Sequence, residues 1–214
     1  MNIIEPFANI LACPSETECL KLLEIAGKTC YRSELSAEPE KFVKSIIKRN
    51  HLSVIEHVNV TVQIICDRGI MAELTRHRLV SFSIESTRYC NYSNDKFGKQ
   101  ITLIKPFYWK ENSHEYALWR MTMETIEEAY MVLLRYSTPE QARSVLPNSL
   151  ATRIIMTANL REWLHIIKLR CSEKAHPQMR EVMHLVEDQL QDQLPSIFGE
   201  YNAEGNQVPL KEEP

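Results

Sequence analysis

Apolar and polar positions alternate along this chain with two different periods. Across 38–50, EPEKFVKSIIKRN, the side chains of Phe42, Val43, Ile46 and Ile47 gather on one helical face with lysines opposite, predicting an amphipathic helix. VNVTVQIIC, 58–66, is rich in β-branched residues and partly alternates, predicting a strand. The same reading predicts helices at 15–27, with Ser15 or Thr17 as cap and Gly27 as terminator, at roughly 113–136, from Pro139 onward, and at 177–193. ITLIKP, 101–106, and LATRIIMTAN, 150–159, read as strands. Asn159 reads as the N-cap of LREWLHIIKLR, with Glu162 three residues later completing a capping box. Asp67–Gly69 read as a turn, 70–78 as a short helix entering a basic run, 91–98 as a polar loop and 202–214 as a frayed tail. Few strands among several long helices predict an α+β fold: a single domain over 1–214 with a central, mostly antiparallel sheet flanked by long helices.

Composition narrows the function classes. The chain has 214 residues, 44% hydrophobic and 25% charged, enough to bury a core in an ordinary soluble domain. A net charge of −3 and a pI near 6.2 argue against a general nucleic-acid binder. No apolar run reaches the ~18 residues of a spanning helix. The opening MNIIEPFANI has an early acid and no basic segment, so it does not read as a signal peptide. Cysteines at 13, 19, 30, 66, 90 and 171 form no CxxC or zinc-ligand pair and read as reduced thiols of a cytoplasmic protein. The glycines at 27, 69, 98, 199 and 205 form neither GxGxxG nor GxxxxGK, so any phosphate must be gripped by side chains or helix ends.

Against that mildly acidic background stands RHRLVSFSIESTRY, 76–89. In an extended segment Arg76 and Arg78 share one face with His77 opposite. Arginine suits bidentate phosphate recognition, and the serines add donors. By composition alone, a solvated helix end paired with Glu73 and Glu85 explains the run as well as an anion pocket does.

The spacing adds a resemblance. RHR, seven residues, then Ser86 is similar to the RHR-x7-S signature of the flavin-dependent thymidylate synthases. The longer form RHRxxSxNExSxRY is matched at Arg76, His77, Arg78, Ser81, Ser86, Arg88 and Tyr89. It is departed from at Ser83 and Ile84, with Glu85 one place later. His51, Ser53, Glu56 and His57 resemble an upstream H-x-[ST]-x-x-E-H element. Ala142, Arg143 and Pro147 resemble ARxxLP, and Asn159, Arg161, His165, Leu169 and Arg170 resemble N-x-R-x3-[NH]-x3-LR. His51 and His57 share no helical face and HExxH is absent, so no metal is expected at these motif residues.

The resemblance implies reductive methylation of dUMP to dTMP. Methylenetetrahydrofolate would give the carbon, and FAD reduced by NADPH the hydride, in a homotetramer with sites shared between subunits. It implies Arg170 as the catalytic guanidinium beside the pyrimidine. The nucleotide would be held by Glu73, Leu74, Thr75, Arg76, Glu85, Ser86, Thr87, Arg88 and Arg143 besides Arg170. Glu73 stands where the family has Gln, and is expected to pair with an arginine or contact the sugar. FAD would be held by Ser53, Arg76, His77, Arg78, Asn159, Arg161 and His165. Ser86 among phosphate-binding donors implies binding, not a covalent nucleophile. Three other readings remain: another nucleotide-handling flavoenzyme, a regulator using 68–88 against nucleic acid, and a relative that binds nucleotide without turning it over.

Overall fold

The computed structural model describes residues 1–30 and 32–199. The expected frayed tail at 202–214 lies outside the described residues.

The elements are β1 (Asn2–Ile4), β2 (Phe7–Ala12), α1 (Glu16–Thr29), α2 (Pro39–Lys48), β3 (Asn59–Asp67), α3 (Arg68–Leu74), β4 (Ser81–Ile84), β5 (Thr102–Ile104), α4 (His114–Leu133), α5 (Pro139–Ala142), β6 (Ala151–Asn159), α6 (Leu160–Arg170), α7 (Pro177–Gln193) and α8 (Pro195–Phe198). Four strands form a sheet in the order β2-β3-β6-β4. Thr61 and Thr157 hydroxyls meet at 2.9 Å, and Leu160 N–H donates to Val58 O. Numbers rise on β3 as they fall on β6, so this pair is antiparallel. A second, two-stranded sheet pairs β1 with β5 in parallel, Ile3 opposite Leu103.

Two compact units share the chain. The first comprises 1–7, 64–76 and 83–154; its core holds Tyr92, Ile101, Leu103, Met123, Tyr130 and Leu150. The second comprises, among the described residues, 8–30, 32–63, 77–82 and 155–199. Its core includes Leu23, Ile55, Trp163, Met179 and Leu190, with the Trp163 indole N–H donating to Val60 O at 3.1 Å. That bond satisfies the polar end of a buried ring.

Local chemistry accounts for most boundaries. Ser15 caps α1 with a full capping box, Ser113 caps α4, and Pro177 opens α7. Three readings are corrected. Gly27 does not end α1: the helix runs to Thr29, and a Cβ at Gly27 would meet the Phe42 ring at 2.7 Å. Close packing against α2, not termination, places the glycine there. Asp67 closes β3 and caps α3 by accepting from Ile70 N–H at 2.7 Å, so Asp67–Gly69 is a strand-to-helix junction. Asn159 accepts from Glu162 N–H, but the Glu162 carboxylate turns toward His77 rather than closing the box. Strands β1, β2 and β4 and the short α8 were not anticipated.

Candidate active site

The basic run begins where α3 ends. Arg76 N–H donates to the Glu73 carbonyl, and the chain then turns through His77–Val80 into β4. Arg76 and Arg78 are exposed while His77 is 6% exposed, so His77 points inward although this stretch is a turn and not the extended segment expected. The boundary between the two units falls after Arg76, so the expected site residues are described in two groups.

In the second unit, Arg170, the last residue of α6, donates its Nε–H to His77 Nε2 at 3.0 Å. A ring nitrogen that accepts carries no proton, so neutral His77 is protonated on Nδ1. That nitrogen lies 3.4 Å from Glu162 Oε1. Burial, then the Arg170 charge, then His165 push the His77 pKa down to about 4. Burial raises the Glu162 pKa, against smaller opposing effects of His165 and Arg161. His77 is therefore neutral near pH 7, and its contact with Glu162 is not a charged pair. His165 meets His77 edge-on, with ring centroids 5.8 Å apart. The result is a chain from carboxylate through imidazole to guanidinium.

Beside it lies a cavity of about 540 Å³ whose walls include Leu79, Asn159, Arg161, His165 and Lys168. Arg161 and His165, one turn apart on α6, both face it. Arg161 also lines a second cavity of about 690 Å³ with Lys28, Phe42, Arg49, His51 and Ser53. Arg161 Nη1 holds Glu56 Oε1 at 2.6 Å, with both side chains largely solvated. Cations and amides interleaved with apolar side chains, over two cavities sharing Arg161, fit a bulky anionic group with a flat apolar part, such as FAD.

In the first unit, Ser86 Oγ accepts the Arg88 N–H at 3.3 Å, while buried Thr87 accepts from Arg143 Nη1 at 3.4 Å. The exposed Arg88 side chain lies 3.6 Å from Glu140. Arg143 follows α5 and is exposed. Glu85 accepts the Tyr92 hydroxyl hydrogen at 2.9 Å. Leu74 is buried, and Thr75 caps the end of α3. Of the solvated-helix-end reading, Arg76 stands just past a short helix; Glu85 bonds Tyr92.

A model of the thymidylate synthase complementing protein family matches residues 15–196. The chain belongs to this family. A flavin-dependent thymidylate synthase of Mycobacteroides abscessus is 32% identical over 88% of this chain and 84% of its own length. One from Geobacter sulfurreducens is 33% identical over 76% and 75%. Among solved structures, thymidylate synthase X from Helicobacter pylori, crystallised with FAD and dUMP, gives a TM-score of 0.70 at 21% identity, over 90% of this chain and 97% of that one. The UMP/dUMP methylase PolB from Streptomyces cacaoi, bound with 5-Br dUMP, gives 0.78 at 20% identity, over 98% and 100%. These two likenesses are likenesses of fold. Family membership gives the Arg170–His77 pair its context within a flavin-dependent thymidylate synthase.

Two participants escaped the sequence reading. Glu162 was read only as a helix cap, although it lies one turn before buried Ile166 on α6, a position the apolar pattern already marks as inward. Tyr92 had no signal beyond its place in a polar loop.

Proposed function

We propose that this protein methylates dUMP to dTMP, taking its carbon from methylenetetrahydrofolate. The observation that carries the reading is the hydrogen bond that aims Arg170 from a neutral, buried His77 of the basic run. Uracil C5 is a weak nucleophile. A permanently charged guanidinium beside the pyrimidine favours the N3-deprotonated, electron-rich ring and so raises the reactivity of C5. His77, neutral near pH 7, holds that guanidinium without adding a competing charge.

The nucleotide phosphate would be bound by Arg88, Arg143 and Ser86, with backbone donors at Glu85–Thr87 and the segment Glu73–Arg76 lining the nucleotide. Ser86 already accepts a backbone bond, which supports a binding role and no covalent protein nucleophile. Arg76, Arg78, Arg161 and His165, with Ser53, His77 and Asn159, would hold FAD. When bound, FAD supplies hydride chemistry, with NADPH as the source of reducing equivalents.

We read 1–214 as one domain. We place the protein in the cytoplasm as a homotetramer with sites shared between subunits, binding neither nucleic acid nor membrane. Among the described residues no helix is long and apolar enough to cross a membrane.

The test is a visible spectrum of the purified protein after FAD addition and desalting, before and after dUMP, followed by tritium release from C5-labelled dUMP with methylenetetrahydrofolate and NADPH. A retained flavin band that shifts with dUMP, together with folate-dependent tritium release, supports the reading. Failure to retain FAD, or release that ignores the folate, overturns it. UMP run in parallel separates a dUMP enzyme from a broader uridylate methylase.

A further inference from the structure

One cluster of ligating side chains takes no part in the flavin or nucleotide sets. Cys171 caps the C-terminus of α6, its N–H donating to Ile167 O at 2.9 Å. His184 and Glu187 lie three apart on α7 and so share a face. A thiol sulfur, an imidazole nitrogen and a carboxylate oxygen from these residues all lie within 4.8 Å of one another. His184 Nδ1 is 2.9 Å from Glu187 Oε2, and the Cys171 thiol hydrogen-bonds the same carboxylate.

We propose that Cys171, His184 and Glu187 form a zinc site, with solvent at the fourth position. Three convergent donors of sulfur, nitrogen and oxygen suit a borderline-soft ion without geometric demands of its own, and disfavour calcium or magnesium. Cys171 and Glu187 are 5% and 7% exposed, a sheltered floor. The His184 side chain is 51% exposed, which leaves an entry path and room for a water ligand. On binding, the Cys171 S–H proton leaves to solvent as the zinc–sulfur bond forms. Bound metal would clamp the residue following Arg170 to α7 and so stiffen the end of α6.

His77, Glu162 and His165 also converge within 4.8 Å, but that set has no sulfur, and His77 Nε2 is occupied by Arg170. The two sites are therefore distinguishable by ligand type. The experiment loads the flavin-bound chain with zinc, dialyses it, measures retained metal and records zinc X-ray absorption. The expected result is one retained ion with a sulfur neighbour at about 2.3 Å and lighter neighbours at about 2.0–2.2 Å. Cys171→Ser should remove the sulfur neighbour. His184→Ala, a substitution at a half-exposed position and thus tolerated by the fold, should weaken zinc binding at least ~10-fold. No retained zinc, zinc without a sulfur neighbour, a sulfur neighbour that survives Cys171→Ser, or unchanged affinity in His184→Ala would each overturn the site. If Cys171→Ser does not fold, the affinity of His184→Ala decides.

Discussion

Arg170 donates its Nε–H to Nε2 of His77 at 3.0 Å, joining the end of α6 to the basic run. The bond fixes the imidazole tautomer and leaves the guanidinium oriented. Arg170→Ala is expected to lower dTMP formation by about 10²–10³-fold, the usual effect of losing a preorganised electrostatic group. The variant should keep its fold by circular dichroism. Near-normal tritium release from C5-labelled dUMP would remove Arg170 from the chemistry.

The depressed pKa of His77 sets a pH dependence of stability. With the folded value at about 4 and an ordinary value of 6.5, the unfolded chain binds more protons between them. Stability from this group rises with pH across that window and is lost as pH falls from 6.5 toward 4. The full effect is about 3 kcal/mol at most. Glu162, raised by burial, works in the opposite direction above its usual range. Denaturant unfolding across this window should therefore be run on the wild type and on His77→Gln. The variant should lack the acid-side loss, and an identical pH slope would refute a neutral buried His77.

Arg143 reaches Thr87 at 3.4 Å while remaining exposed, so its removal should leave stability nearly unchanged. Losing a charge-assisted hydrogen bond to the nucleotide phosphate should weaken dUMP binding by about 10–100-fold. Calorimetric titration of Arg143→Ala measures this directly. Unchanged affinity would take Arg143 out of the phosphate socket.

The Arg161–Glu56 pair is short but solvated on both sides, and such pairs contribute under about 1 kcal/mol. Arg161→Ala should unfold at nearly the wild-type temperature yet lose FAD on desalting. A variant that keeps its flavin would assign Arg161 to surface pairing alone.

Trp163 is fully buried and its indole N–H satisfies the Val60 carbonyl. Trp163→Ala should cost about 3–5 kcal/mol through the cavity it leaves. Trp163→Phe keeps most of the packing and should cost about 1–3 kcal/mol for the orphaned carbonyl. Equal losses in the two variants would argue against that separation of packing from hydrogen bonding.

Elements with a local cause were legible. Ser15, Ser113, Asn159 and Pro177 each mark a helix start by chemistry contained within one turn, and the β-branched run of β3 announces itself. Strands β1 and β2 lacked such a signal: Pro6 interrupts their apolar stretch, and β1 is a strand because it pairs with β5 about a hundred positions later. Gly27 resembled a helix terminator because its reason for being glycine, the Phe42 ring, belongs to the next helix.

By itself the sequence determined the Ser15 and Asn159 helix N-caps, the strand runs of β3, β5 and β6, the four motif elements and hence the family, because each depends on residue type at fixed spacing. Tertiary structure alone decided that Glu162 faces His77 instead of its own helix end, and that His77 accepts from Arg170. It also decided that Cys171 meets His184 and Glu187. Those contacts join residues from different elements, where burial and packing direction, rather than spacing, choose the partner.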